Sequence, residues 1–180
     1  MIDIFYNKYY VAAKEAFDTT RKSKDIADKI GLENLKDPEH AANLAIYGIQ
    51  EAHSPEYVES LMTGEPEWLA GTNAFDWDEG IWKMAVNSTA GIIAACESTI
   101  NAMSKLPREN WSPYLIAGSL SSGLHHARRD EGSGYCTVNG LSSSQPVLSQ
   151  FEVCRLSRCA PTHSPAAHTR RPAAPPRRHM

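Results

Sequence analysis

Apolar and polar positions alternate at the start of the chain. "IDIFYN" (2–7) sets β-branched and aromatic side chains against polar ones, the pattern of an opening strand. The period then lengthens. Residues 18–31, "DTTRKSKDIADKIG", read as a short helix that Asp18 or Thr19 caps and Gly31 ends. A second helical or mixed segment covers 37–53. Within "HSPEYVESLMTGEP" (53–66), Ser54 suits an N-cap, Pro55 suits the first helical position and Gly64 stops the turn. The clearest helix spans 78–105. There Trp82, Ala85/Val86, Thr89, Ile92/Ile93, Cys96, Ile100 and Met103 recur in three- and four-residue steps as one apolar stripe. Gly91 inside it costs about 1 kcal/mol relative to alanine, which predicts close packing against a neighbour. Pro107 and Pro113 bracket a connection, and "YLIAGSL" (114–120) reads as a short apolar strand.

Strand, helices, long helix, strand is the order of an α/β domain with a parallel sheet, whose functional loops gather at the carboxyl ends of strands. The segment after the second strand, "SGLHHARRDEGSGYCTVNGL" (122–141), therefore stands where a site belongs. Its paired histidines, His125 and His126, admit three readings: imidazoles bonded to backbone, metal ligands, or an acid–base pair. Neighbouring side chains on an extended chain point opposite ways, so joint ligation of one metal requires a bent loop. Gly123, Gly132 and Gly134 permit tight turns and a close approach to a ligand.

Composition adds a boundary. The 180 residues suffice for one domain with a sizeable core, and 42% hydrophobic with 22% charged residues is an ordinary soluble balance. A net charge of −3 argues against a nucleic-acid partner. "MIDIFYNKYY" lacks the basic and apolar regions of a signal peptide, and no apolar run reaches the ~20 residues of a membrane helix. Four cysteines without a Cys-x-x-Cys fit a reducing, cytoplasmic setting. Residues 1–141 carry 12 Lys+Arg against 20 Asp+Glu, whereas 142–180 carry six Arg, one Glu, no Lys and no Asp. The tail also holds six of the 11 prolines. The domain is thus expected to occupy 1–141, with 142–180 a disordered Arg/Pro/Ser-rich tail in which only "VLSQFEV" looks structured. Cys154, Cys159, His163 and His168 are ligand types in order, but zinc fingers place about a dozen residues between their Cys and His pairs. No metal residue is assigned, and "RRPAAPPRR" is read as solvated charge.

The run Gly123, His125, His126, Ala127, Arg128, Arg129, Asp130 or Glu131, Gly134, Tyr135, Cys136, Asn139 resembles the active-site segment of the histone deacetylase family, zinc-dependent amidohydrolases of the arginase/deacetylase fold. "AHSPEYVESLMTGEP" and "STAGIIAA" look like upstream family segments, and the resemblance covers 1–141. It implies an incomplete three-layer α/β/α domain with a parallel sheet. It also implies hydrolysis of an acetylated lysine or related acetylated amine by a zinc-bound water. By position, His126 would be the general base and His125 its partner in stabilising charge and protonating the leaving group. Gly134 and Tyr135 would line the tube for the acyl-lysine stem, Tyr135 standing where the family usually has Phe. Asp76 or Asp78 falls near a substrate-holding aspartate of some members, although Asp78 better suits a helix cap. The family's zinc ligands, an Asp-x-Asp-x-His segment and a later Asp, have no counterpart in 142–180, and zinc is expected for the family rather than held by this chain. The sequence is therefore expected to be a deacetylase truncated before its zinc ligands. The alternative is an inactive, frameshifted fragment or interaction module. An incomplete sheet should expose an edge and favour self-association.

Overall fold

The computed structural model describes residues 2–13, 18–107, 110, 115–121 and 125–149, the side chains of 18–21 excepted. Strand β1 (Asp3–Phe5) and strand β2 (Ala117–Ser119) pair in parallel, Ile4 opposite Gly118. Both are shorter than the apolar runs that announced them. Lys36 lies on the other side of β1, where Tyr6 N–H donates to the Lys36 carbonyl (3.0 Å) and Lys36 N–H to that of Ile4 (2.9 Å).

The described residues form six α-helices: α1 (Asp18–Ile30), α2 (Ala42–Ala52), α3 (Pro55–Thr63), α4 (Glu67–Ala70), α5 (Gly80–Ser104) and α6 (Gly140–Leu148). The described chain is thus a mixed α/β fold built around a parallel sheet, as expected. Gly31 and Gly64 end α1 and α3, the latter in the left-handed conformation at φ 83°. Ser54 occupies the N-cap of α3 and Pro55 its first turn, but the serine side chain makes no capping bond. Asp78 stands one residue before Glu79, the N-cap of α5, and its carboxylate accepts the Gly80 N–H at 2.6 Å.

Helix α5 is central. It packs on α2 and α6 and also on both strands, so its N-terminal half is buried on most sides rather than along one stripe. Ala85, Val86, Thr89 and Ile93 are buried as expected, whereas Trp82, Ile92, Cys96, Ile100 and Met103 are only half-buried. Gly91 is the predicted close contact: a Cβ there would overlap the Tyr10 hydroxyl and Ser119 Oγ, which bond each other at 2.9 Å. Tyr10, Ile49, Tyr57, Leu61, Ile81, Ile93 and Val138 are the large, fully buried side chains of the core. Among the described residues no helix is long and apolar enough to cross a membrane.

Order continues past the boundary expected at 141. Helix α6 runs from Gly140 to Leu148 and buries Ser143, Ser144 and Val147 against α2 and α5. A serine-rich run with Pro146 inside reads as loop. It folds because Asn139 caps it, accepting the Ser142 N–H at 3.1 Å, and because small side chains let it lie close to α2. The tail's Cys/His run and "RRPAAPPRR" lie outside the described residues.

Candidate active site

The loop from His125 to Asn139 follows β2 and is held from beneath by two segments distant in sequence. From the α2–α3 junction, Ser54 N–H donates to the Arg129 carbonyl (2.9 Å) and Tyr57 hydroxyl to the Thr137 carbonyl (2.6 Å). From the turn after α4, Thr72 Oγ1 accepts the Gly132 N–H (2.9 Å), and Asn73 Nδ2 donates to Thr137 Oγ1 (2.9 Å). Tyr57, Asn73 and Thr137 are buried, so these are directional restraints in a low-dielectric setting. Burial raises the Tyr57 phenol well above its ordinary value and keeps it a neutral donor.

Within the loop, Ser133 and Cys136 exchange backbone hydrogen bonds of 3.1 and 2.8 Å around Gly134 and Tyr135, whose φ values are 54° and 63°. Two central residues at positive φ are the signature of a tight type I′ turn. The turn projects Tyr135 outward, 48% exposed, with its ring 5.7 Å from that of Phe75. It also lays Gly134 on His126: a Cβ at 134 would stand 2.9 Å from the His126 Cγ. His125 and His126 are exposed and their ring centroids are 4.0 Å apart, so the loop bends enough to bring neighbouring imidazoles together.

Asn139 closes the arrangement. Its Nδ2 donates to the carbonyls of His125 (3.3 Å) and Ala127 (3.1 Å), while its backbone N–H donates to His53 Nε2 (3.0 Å). His53 is buried, and burial pushes its imidazole below the ordinary value. Sequence reading missed His53, Tyr57, Asn73 and the clamping role of Asn139. The available signal was the histidine and tyrosine four residues apart around Ser54–Pro55, which only a contact 86 residues away makes meaningful. The four site residues named from the sequence, His125, His126, Gly134 and Tyr135, do lie together. Asp76 is exposed beside Phe75.

Two exposed imidazoles, a glycine turn and an aromatic wall thus share a loop after a parallel strand. The Histone deacetylase domain model covers residues 6–144, more than half of the chain. This chain belongs to the histone deacetylase family. It is similar to Histone deacetylase 6 of Arabidopsis thaliana, 31% identical over 97 residues, which are 49% of this chain and 19% of that protein. It is also similar to Histone deacetylase 2 of Oryza sativa subsp. japonica, 31% identical over 112 residues, 58% of this chain and 19% of that protein. The matched part therefore spans about a fifth of the length of these curated relatives.

Members of this histone deacetylase family are generally metal-dependent. A catalytic zinc takes three protein ligands and an open position. Among the described residues, no three His, Cys, Asp or Glu side chains gather as a set that could hold a metal. The described residues thus do not fit a catalytic zinc, and no chemical step is derived through one. What they offer is a pair of imidazoles, each able to accept or donate a proton, beside an aromatic surface.

Proposed function

We propose that residues 125–139 are the acid–base and substrate-lining part of a deacetylase site acting on an acetylated lysine or acetylated amine. His126 is the general base. His125 is its partner, stabilising developing charge and helping to protonate the leaving amine. Gly134 and Tyr135 form the wall against the acyl-lysine stem, with Phe75 extending its aromatic surface. The observation that carries this reading is the pair of exposed imidazoles 4.0 Å apart with the Gly134 turn laid over one of them. Imidazole can both accept and donate a proton, which suits both halves of a proton transfer.

A second reading is favoured by the ligand count among the described residues: a catalytically inactive interaction module that keeps part of the fold and the acid–base pair. Both readings combine. The site is deacetylase-like by descent and residue type, and the described residues alone assemble no metal set for turnover of acetyl-lysine. The edge of β2, unpaired among the described residues, supports self-association. The test is acetate release from an acetyl-lysine peptide with zinc supplied, alongside zinc analysis of the purified chain. The expected outcome is no stoichiometric zinc and no release above that of His126→Ala. One bound zinc with His126-dependent release would overturn the inactive reading. Release that persists in His126→Ala would overturn the base assignment.

A further inference from the structure

His53 is a titratable group that proton transfer at 125–126 leaves unused, yet it is only 1% exposed and sits at the loop's anchorage. Its Nε2 accepts the Asn139 N–H at 3.0 Å, so that nitrogen carries no proton. The neutral ring therefore holds its proton on Nδ1, which is buried and closes no hydrogen bond of full geometry, with the Arg128 and Arg129 carbonyls near the ring. Asn139 distributes the restraint. Its side chain donates to the carbonyls of His125 and Ala127, on either side of His126, and accepts from Ser142 at the start of α6.

We propose that His53 is a positioning residue and a proton-operated latch: neutral, it fixes Asn139 and through it the His125–His126 backbone; protonated on Nε2, it lets that anchor go. A proton on Nε2 would set two N–H donors against each other across a 3.0 Å contact and bury a cation. The surroundings give that cation little support. From α3, Tyr57 faces it with a ring 5.6 Å away and a hydroxyl already committed to Thr137. From the loop come the Arg129 charge, which opposes protonation, and the Asp130 carboxylate with the Arg128 and Arg129 carbonyls, which favour it. Burial outweighs these, and the imidazole titrates below its ordinary value.

The sign follows. The folded chain binds fewer protons here than the unfolded one, whose histidine titrates near ~6.5. The latch is fully closed above that pH. Its contribution is lost as pH falls from there toward the folded-state value. The latch governs the proposed acid–base pair, but its test reads loop opening and does not depend on turnover.

The experiment is amide hydrogen exchange on the full chain between about pH 7.5 and 5.5, a window around the free-histidine value. Protection of Asn139 and Ser142 is referenced to the core amides of Ala90 and Ile93, which removes the intrinsic pH dependence of exchange. The comparison is His53→Gln, whose side-chain oxygen can accept the Asn139 N–H without titrating. In the wild type, relative protection should fall on acidification, by up to about tenfold per pH unit between the free-histidine value and the folded-state value. The His126 ring resonances should move with it. In His53→Gln, relative protection should be flat. A flat wild-type profile, or an equal slope in the variant, would overturn the latch. Should the variant fail to fold, the wild-type imidazole ¹⁵N shifts decide. A proton on Nδ1 at high pH, with titration that coincides with release of Asn139, supports the latch. A proton on Nε2, or titration that leaves Asn139 protected, overturns it.

Discussion

Gly134 shows how one residue sets the candidate site. Its φ of 54° lies in the left-handed region, where an L side chain costs about 1–2 kcal/mol. A Cβ would also press on the His126 ring, 2.9 Å from Cγ. Gly134→Ala should therefore lower stability by about 1–3 kcal/mol and displace the His126 ring, read from the urea midpoint and the imidazole resonances together. Gly118 is the internal comparison. It sits in β2 with open space around its Cβ position, so Gly118→Ala should be neutral or stabilising by up to about 1 kcal/mol. Equal losses at both positions would mean that the turn over His126 is no special restraint. At this scale the sequence was readable where chemistry is local. His125, His126, Gly134 and Tyr135 fall within an eleven-residue run and fold back on one another. His53 carries no such mark, because a buried histidine acquires a role only from the amide it faces across the fold.

The same contrast holds for elements. Helix α3 was legible from end to end, since Pro55 and Gly64 act through their own backbone geometry. Helix α5 was legible in extent but not in burial, because its surroundings, α2, α6 and the sheet, are tertiary information. Helix α6 was legible only at its end, where Val147 and Leu148 open "VLSQFEV". Serines and Pro146 argue locally for a loop, and what overrides them is the Asn139 cap and the fit against α2. The decisive position in that fit is Gly48, where a Cβ would overlap the Ser143 carbonyl oxygen. Alanine gains about 1 kcal/mol of helix propensity over glycine. Overpacking costs about 1–3 kcal/mol or more, and here the obstacle is backbone, which cannot rotate away. Gly48→Ala should be net destabilising, with a lower thermal midpoint and faster proteolysis around α6. A midpoint at or above that of the wild type would show that α2 and α6 separate freely.

For the whole molecule, the two edges of the sheet are treated differently. The β1 edge is covered: Lys36 bonds to the backbone on either side of Phe5, and its ammonium pairs with Asp3 at 2.6 Å. The outer edge of β2 pairs with no strand among the described residues, and Ala117, Gly118 and Ser119 bring no charge to it. Just before the two strands, Ile2 and Ile116 are each more than half exposed and line a common cleft of about 230 Å³. Natural proteins blunt such edges with lysine, proline or a covering element, because unpaired N–H and C=O groups invite another strand. A net charge of −3 supplies little repulsion between copies. The apparent mass in sedimentation should accordingly rise with protein concentration. Ile116→Lys should suppress that rise while leaving the unfolding midpoint within about 0.5 kcal/mol, since the side chain it replaces is 56% exposed. A monomer mass that is independent of concentration in the wild type would remove the edge as an association site. An Ile116→Lys chain that associates as strongly as the wild type would move the contact elsewhere on the surface.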